Sequence, residues 1–170
     1  MQEIYPTDPD GARALRCVAD GTVIPLSELQ DGVYSRRIMG DGYAVLADGG
    51  IVDRITEYFT SPKDVEVKAP ADGVVTSAEG ELSLRTGDGV NVSVILGETQ
   101  TEFIPDVGEK LRCGDTICTV PRAALAENGI NGAVVVLFTD TSRITELHVS
   151  SGRRRAGDRA AFYRVLRNEK

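Results

Sequence analysis

Short apolar runs separated by Gly, Asp and Pro occupy most of this chain, and the period within them is mostly two. Alternation of that kind places successive side chains on opposite faces of an extended strand. VNVSVIL is the clearest case: Val90, Val92, Val94 and Leu96 point one way, while Asn91, Ser93 and Ile95 point the other. ELSLRT matches it, with Leu82 and Leu84 inward and Glu81, Ser83 and Arg85 outward. Gly87, Asp88 and Gly89 between the two runs predict a hairpin turn. AVVVLF (133–138) has no polar alternate and predicts a strand buried on both faces. AAFYRVL (160–166) predicts a final strand, with the run Arg153 to Arg155 at the turn before it. PRAALAEN predicts a helix, Pro121 suiting the first helical position and Gly129 the residue past the end. Many short strands between turn signals define an all-β fold, an antiparallel sandwich or barrel with one or two short helices.

Two phrases echo each other. CVADGTVIPL from Cys17 and KAPADGVVTS from Lys68 both set Ala-Asp-Gly ahead of valines, so the chain reads as an internal duplication. Residues 1–14, with Pro6, Pro9 and several acids, read as an irregular lead-in, and residues 15–170 as one β domain. An insertion is expected around residues 49–64, where Ile55, Tyr58 and Phe59 fall at helical spacing.

Composition narrows the class only slightly. At 170 residues the chain is long enough for one real core, and 41% apolar with 26% charged residues is the balance of a soluble globular protein. No apolar run is long enough to span a membrane and no basic-then-apolar leader opens the chain, so a cytoplasmic protein is expected. Net charge is −7, yet arginines dominate from Ser151 onward. The strand pattern there makes them a solvated turn, and no nucleic-acid partner is expected. Cys17, Cys113 and Cys118 form an odd set that reads as reduced thiols. With a single histidine, His148, they supply no recognisable zinc set, and neither metal nor cofactor is expected.

The most specific pattern lies between Cys17 and Val45. A Gly21 to Val23 strand is followed by a Pro-Leu-Ser-Glu-Leu step at Pro25 to Leu29, and Ile38 and Met39 run into Gly40, Asp41 and Gly42. This resembles the opening of the glucose-type enzyme IIA domain of the bacterial sugar phosphotransferase system, and the resemblance extends from about Leu15 to Arg155. It implies the duplicated hybrid β motif of glucose-permease IIA domains. It also implies a chemistry in which a phosphorylated carrier protein passes phosphate to a histidine, which hands it to a sugar-transporter domain. Imidazole nitrogen suits that relay because it is nucleophilic near neutral pH, and a second histidine hydrogen-bonds the transferring group.

Both family histidines are missing here. Gly97, Glu98 and Thr99 match the family turn after the second one, which puts Ile95 in its place. The first falls within TSAEGE, where Glu79, Gly80 or a gap stands; Gly80 is taken as the degenerate position. The resemblance therefore implies a homologue unable to carry phosphate, which acts as a protein-binding or regulatory module rather than an enzyme. Its partners would be the phosphocarrier, transporter IIB or IIC domains, or a regulated enzyme. Ile95 reads either as a stray surface isoleucine or as part of a partner surface with Ile38 and Met39, extended by Tyr34, Tyr43 and Glu98. The alternatives are an active carrier using His148, and a structural domain unrelated to sugar transport. Nothing in the sequence around Ser93 or Glu98 resembles the serine or aspartate acceptors of other phosphotransfer systems. Biotinyl and lipoyl carriers are excluded by the lack of a lysine-bearing hairpin, and lysostaphin-type zinc peptidases by the histidine count.

Overall fold

The computed structural model describes residues 13–29, 40–46, 64–97, 99, 101–128, 130 and 132–165. The strands are β1 (Arg13–Arg16), β2 (Gly21–Pro25), β3 (Asp41–Leu46), β4 (Asp64–Lys68), β5 (Gly73–Ser77), β6 (Leu82–Arg85) and β7 (Asn91–Ile95). They continue with β8 (Lys110–Leu111), β9 (Thr116–Pro121), β10 (Ala133–Phe138), β11 (Ile144–Val149), β12 (Gly152–Arg154) and β13 (Arg159–Val165). A 3₁₀ turn (Leu26–Glu28) follows β2, and one helix, α1 (Arg122–Asn128), follows β9. Pairing is antiparallel throughout these ladders. The large sheet runs β12-β2-β3-β10-β7-β6-β5-β8, beside a three-stranded sheet β1-β13-β11 and the pair β4-β9.

The repeated Ala-Asp-Gly phrase is a true structural duplication, visible in the hydrogen bonds. Arg16 N donates to Pro70 O at 2.9 Å, and Lys68 N, its counterpart in the second phrase, donates to Val18 O at 2.7 Å. Cys17 N donates to Asp158 O and Ala69 N to Asp115 O, at 2.6 and 2.8 Å. The aspartates repeat the relation: Asp20 Oδ1 accepts from Ala156 N at 2.8 Å, and Asp72 Oδ1 from Cys113 N at 2.7 Å. The large sheet is accordingly palindromic. β2 with β12 mirrors β5 with β8, and β1 on β13 mirrors β4 on β9. The glycine that closes each phrase is needed for strand approach. A Cβ on Gly21 would run into the Leu46 carbonyl oxygen, and one on Gly73 would stand 2.6 Å from the Arg85 carbonyl oxygen.

The main core lies between the large sheet and the two smaller ones. Leu15 of β1, Val67 of β4, Ile117 of β9 and Tyr163 of β13 meet Val23, Val45, Leu84, Val92, Val94 and Phe138 of the large sheet. β10 is buried along its whole length, as its unbroken apolar run predicts. Val134, Val136 and Phe138 enter the main core, while Ala133, Val135 and Leu137 enter a second cluster on the opposite face. That cluster adds Leu26, Leu29, Ala44 and Ile95.

Several boundaries differ from the sequence reading. β1 begins at Arg13, inside the expected lead-in, because Leu15 reaches the core. Pro121 ends β9 instead of opening the helix, since it pairs with Asp64 across the β4–β9 ladder. The arginine run is not all turn: Arg153 and Arg154 form β12 against Thr22 and Gly21, and the turn spans Arg155 to Asp158. Residues 1–12, the insertion at 49–63 and Gly129 lie outside the described residues.

Candidate functional site

The hairpin β6–β7 lies between Gly80 and Ile95, the two positions that the sequence resemblance assigns to the missing histidines. Its turn is closed by Thr86 N to Val90 O and Gly89 N to Thr86 O, both 2.9 Å, with Gly89 at φ 79°. The turn sets the register Leu82↔Val94, Ser83↔Ser93 and Leu84↔Val92. Val92 and Val94 then face the main core, as alternation predicts, and Ser93 and Ile95 face the other side of the sheet.

That other side is not open to solvent at Ile95. The residue is only 8% exposed, pairs with Val135 of β10 and packs with Leu26, Leu29, Ala44 and Leu137. The expectation of an outward-facing Ile95 is corrected: the face is right, but a second apolar cluster covers it. Gly80 lies in the bend between β5 and β6 at φ +78°, and a Cβ built there meets nothing within 4 Å. Exposed and left-handed, it serves the turn.

Tyr43 is also corrected. It belongs to the main core on the opposite face, is fully buried, and donates its hydroxyl to Arg16 O at 2.6 Å. Burial first, and then the neighbouring Cys17 and Cys113, raise its phenol well above the ordinary value. It therefore contributes nothing to a surface. Tyr34, Ile38, Met39 and Glu98 lie outside the described residues.

His148 stands on β11, in the three-stranded sheet rather than the large one. Its side chain is 71% exposed, and Nε2 lies 3.1 Å from Glu146 Oε1. Arg164 of β13 holds the other carboxylate oxygen at 2.7 Å. The hydrogen bond from His148, and then the charge of Arg164, hold the Glu146 carboxyl below its usual range. The cysteines are free thiols, and burial pushes Cys17, Cys113 and Cys118 up to about 11. Thiols in that state are poor nucleophiles at neutral pH.

One polar group beside Ile95 was not foreseen. Ser83 Oγ donates to Glu81 Oε2 at 3.2 Å and lies 2.7 Å from Ser93 Oγ. Ser93 is 1% exposed, whereas Ser83 and Glu81 are partly exposed. Parity already placed Glu81, Ser83 and Ser93 on outward faces of two strands joined by a tight turn. Combining parity with hairpin register is what would have revealed the pairing.

Among the described residues, two clefts are related to each other by the duplication. One, about 440 Å³, includes Arg16, Asp72 and Cys113, and the other, about 450 Å³, includes their counterparts Lys68, Asp20 and Ala156. Neither is lined by Gly80 or Ile95.

A mostly antiparallel β-sandwich of this kind is the fold of glucose permease IIA. The glucose permease IIA of Mycoplasma capricolum superposes with a TM-score of 0.71 over 92% of this chain and 99% of that one, at 22% identity. The family model for the phosphoenolpyruvate-dependent sugar phosphotransferase system, EIIA 1, matches residues 13–144. This chain is 33% identical over 128 residues to the glucose-specific EIICBA component of Streptococcus pneumoniae, covering 75% of the chain and 17% of that protein. It is 26% identical over 130 residues to the glucose-specific EIIA component of Oceanobacillus iheyensis, covering 75% of the chain and 74% of the relative. The chain belongs to the EIIA 1 family, as a glucose-type enzyme IIA homologue in sugar transport.

Proposed function

We propose that this enzyme IIA homologue does not relay phosphate through the family's two histidine positions and works by binding proteins. The observation that carries this reading is the state of those positions. Ile95 is locked in an apolar cluster, and Gly80 is a left-handed turn glycine with no side chain. Neither presents a nitrogen or oxygen nucleophile. Docking would use the face around Ile95, to which the sequence assigns Tyr34, Ile38, Met39 and Glu98. Its partners are the phosphocarrier protein, IIB or IIC transporter domains, or a regulated enzyme, and it meets them in the cytoplasm. Among the described residues no helix is long and apolar enough to cross a membrane.

The test is intact mass after incubation with phosphoenolpyruvate, enzyme I and the phosphocarrier, beside an ordinary glucose-type domain. The expected result is no acid-labile phosphoryl group on this chain while the control is labelled. A stoichiometric acid-labile group would overturn the reading. A second reading rests on His148, whose Nε2 meets Glu146 and whose ring is otherwise exposed. A carboxylate that accepts Nε2–H leaves Nδ1 as the nucleophilic nitrogen. In that case the acid-labile group appears and is lost in His148→Ala.

A further inference from the structure

We infer that Ser83 is a phosphoryl-acceptor hydroxyl, with Glu81 as its base and Ser93 as the donor that supports it. The inference starts from proton order. A serine hydroxyl has one proton, and that of Ser83 is directed to Glu81 Oε2 at 3.2 Å. In the 2.7 Å contact between the two serines either oxygen can donate, and with the Ser83 proton on Glu81 the donor is Ser93. Ser83 Oγ thus has a carboxylate placed to take its proton and a hydroxyl placed to stabilise the charge that develops as the proton leaves.

Burial separates the roles. Ser93 is buried and flanked by the valines of β7, so its hydroxyl is held in place. Ser83 and Glu81 are partly exposed and reachable from solvent. The Ser83↔Ser93 register is fixed by a ladder that continues to Arg85↔Asn91, so the two serines are held by paired strands, with Glu81 in the bend just before β6. It shares its sheet face with Ile95, the face assigned above to docking, and to that extent the inference rests on that reading.

The donor class is a phosphohistidine protein of the phosphoenolpyruvate-dependent system to which the family belongs. In the step, the donor's N–P bond breaks and its electron pair returns to the imidazole nitrogen. A P–O bond forms to Ser83 Oγ. The hydroxyl proton passes to Glu81 and, through solvent, to the imidazole that has left. Nothing is oxidised or reduced. A phosphoramidate is thereby exchanged for a phosphate ester, which is far less ready to transfer onward. Ser83 is then a terminal acceptor rather than a relay, and the added negative charge alters the face that carries it.

The closing experiment incubates the full chain with phosphoenolpyruvate, enzyme I and phosphocarrier, then measures mass before and after acid and maps the modified peptide. The expected result is one acid-stable phosphoryl group on the peptide containing Ser83. It should be absent in Ser83→Ala and form about a hundredfold more slowly in Glu81→Gln, which keeps an acceptor oxygen but cannot take a proton. Circular dichroism of both variants separates loss of chemistry from loss of fold. No acid-stable label, or a stable label on any other residue, overturns the inference. An acid-labile label overturns the binding-only reading instead, so the two fail separately.

Discussion

At φ +78°, Gly80 occupies the left-handed region, where a residue with a Cβ incurs strain of about 1–2 kcal/mol. Because a Cβ there meets no neighbour, Gly80→Ala should lower stability by about 1 kcal/mol through backbone strain alone, read as a shift in urea midpoint at constant slope. Ile95 presents the opposite case, a side chain whose contacts matter and whose backbone is ordinary strand. Ile95→Ala should cost about 2–4 kcal/mol, the range for truncating a buried aliphatic side chain. A cost near zero would mean that the second apolar cluster does not hold together in solution. Alternation in the sequence correctly set Ile95 apart from Val92 and Val94. It could not show that Leu26, Ala44 and Leu137, from separate segments, come to lie over it.

The elements come in matched sets, and their stabilities should match as well. Asp20 and Asp72 make the same side-chain bond to a backbone N–H in the two copies of the motif, at 2.8 and 2.7 Å. Asp20→Ala and Asp72→Ala should therefore each cost about 1 kcal/mol, and by similar amounts, in denaturant unfolding. Losses that differ severalfold would show that the duplication is geometric without being energetic. β10 carries far more of the fold, since Phe138 meets Tyr163 of β13 in a tilted ring contact with centroids 4.8 Å apart and so ties the large sheet to the three-stranded one. The strands β6, β7, β10 and β13 were legible from apolar period and turn residues. The short strand β12 was not, because its arginines are polar and only pairing with β2 makes them extended.

Across the molecule, buried acids that stay protonated set the response to alkali. Burial holds three thiols at about 11 and the Tyr163 phenol at about 12. In the unfolded chain the thiols lose protons near their ordinary value of 9.0 and the phenol near 10.0. Between about pH 9 and 11 the unfolded state therefore binds fewer protons than the folded one, and stability falls as pH rises. The melting temperature should drop between pH 8 and pH 10.5, and less so in a Cys17→Ala/Cys118→Ala variant compared with its own value at pH 8. By itself, the sequence determined the all-β class, the duplicated phrase, the family resemblance and the face on which each residue of a strand falls. These follow from local rules: a two-residue period, turn chemistry and the identity of a few motif positions. The tertiary structure alone decided that Tyr43 is core, that Ile95 is covered, and that Glu81, Ser83 and Ser93 form one hydrogen-bonded chain. Each of those depends on which strands become neighbours, and that is settled by burial across the whole chain rather than within any one segment.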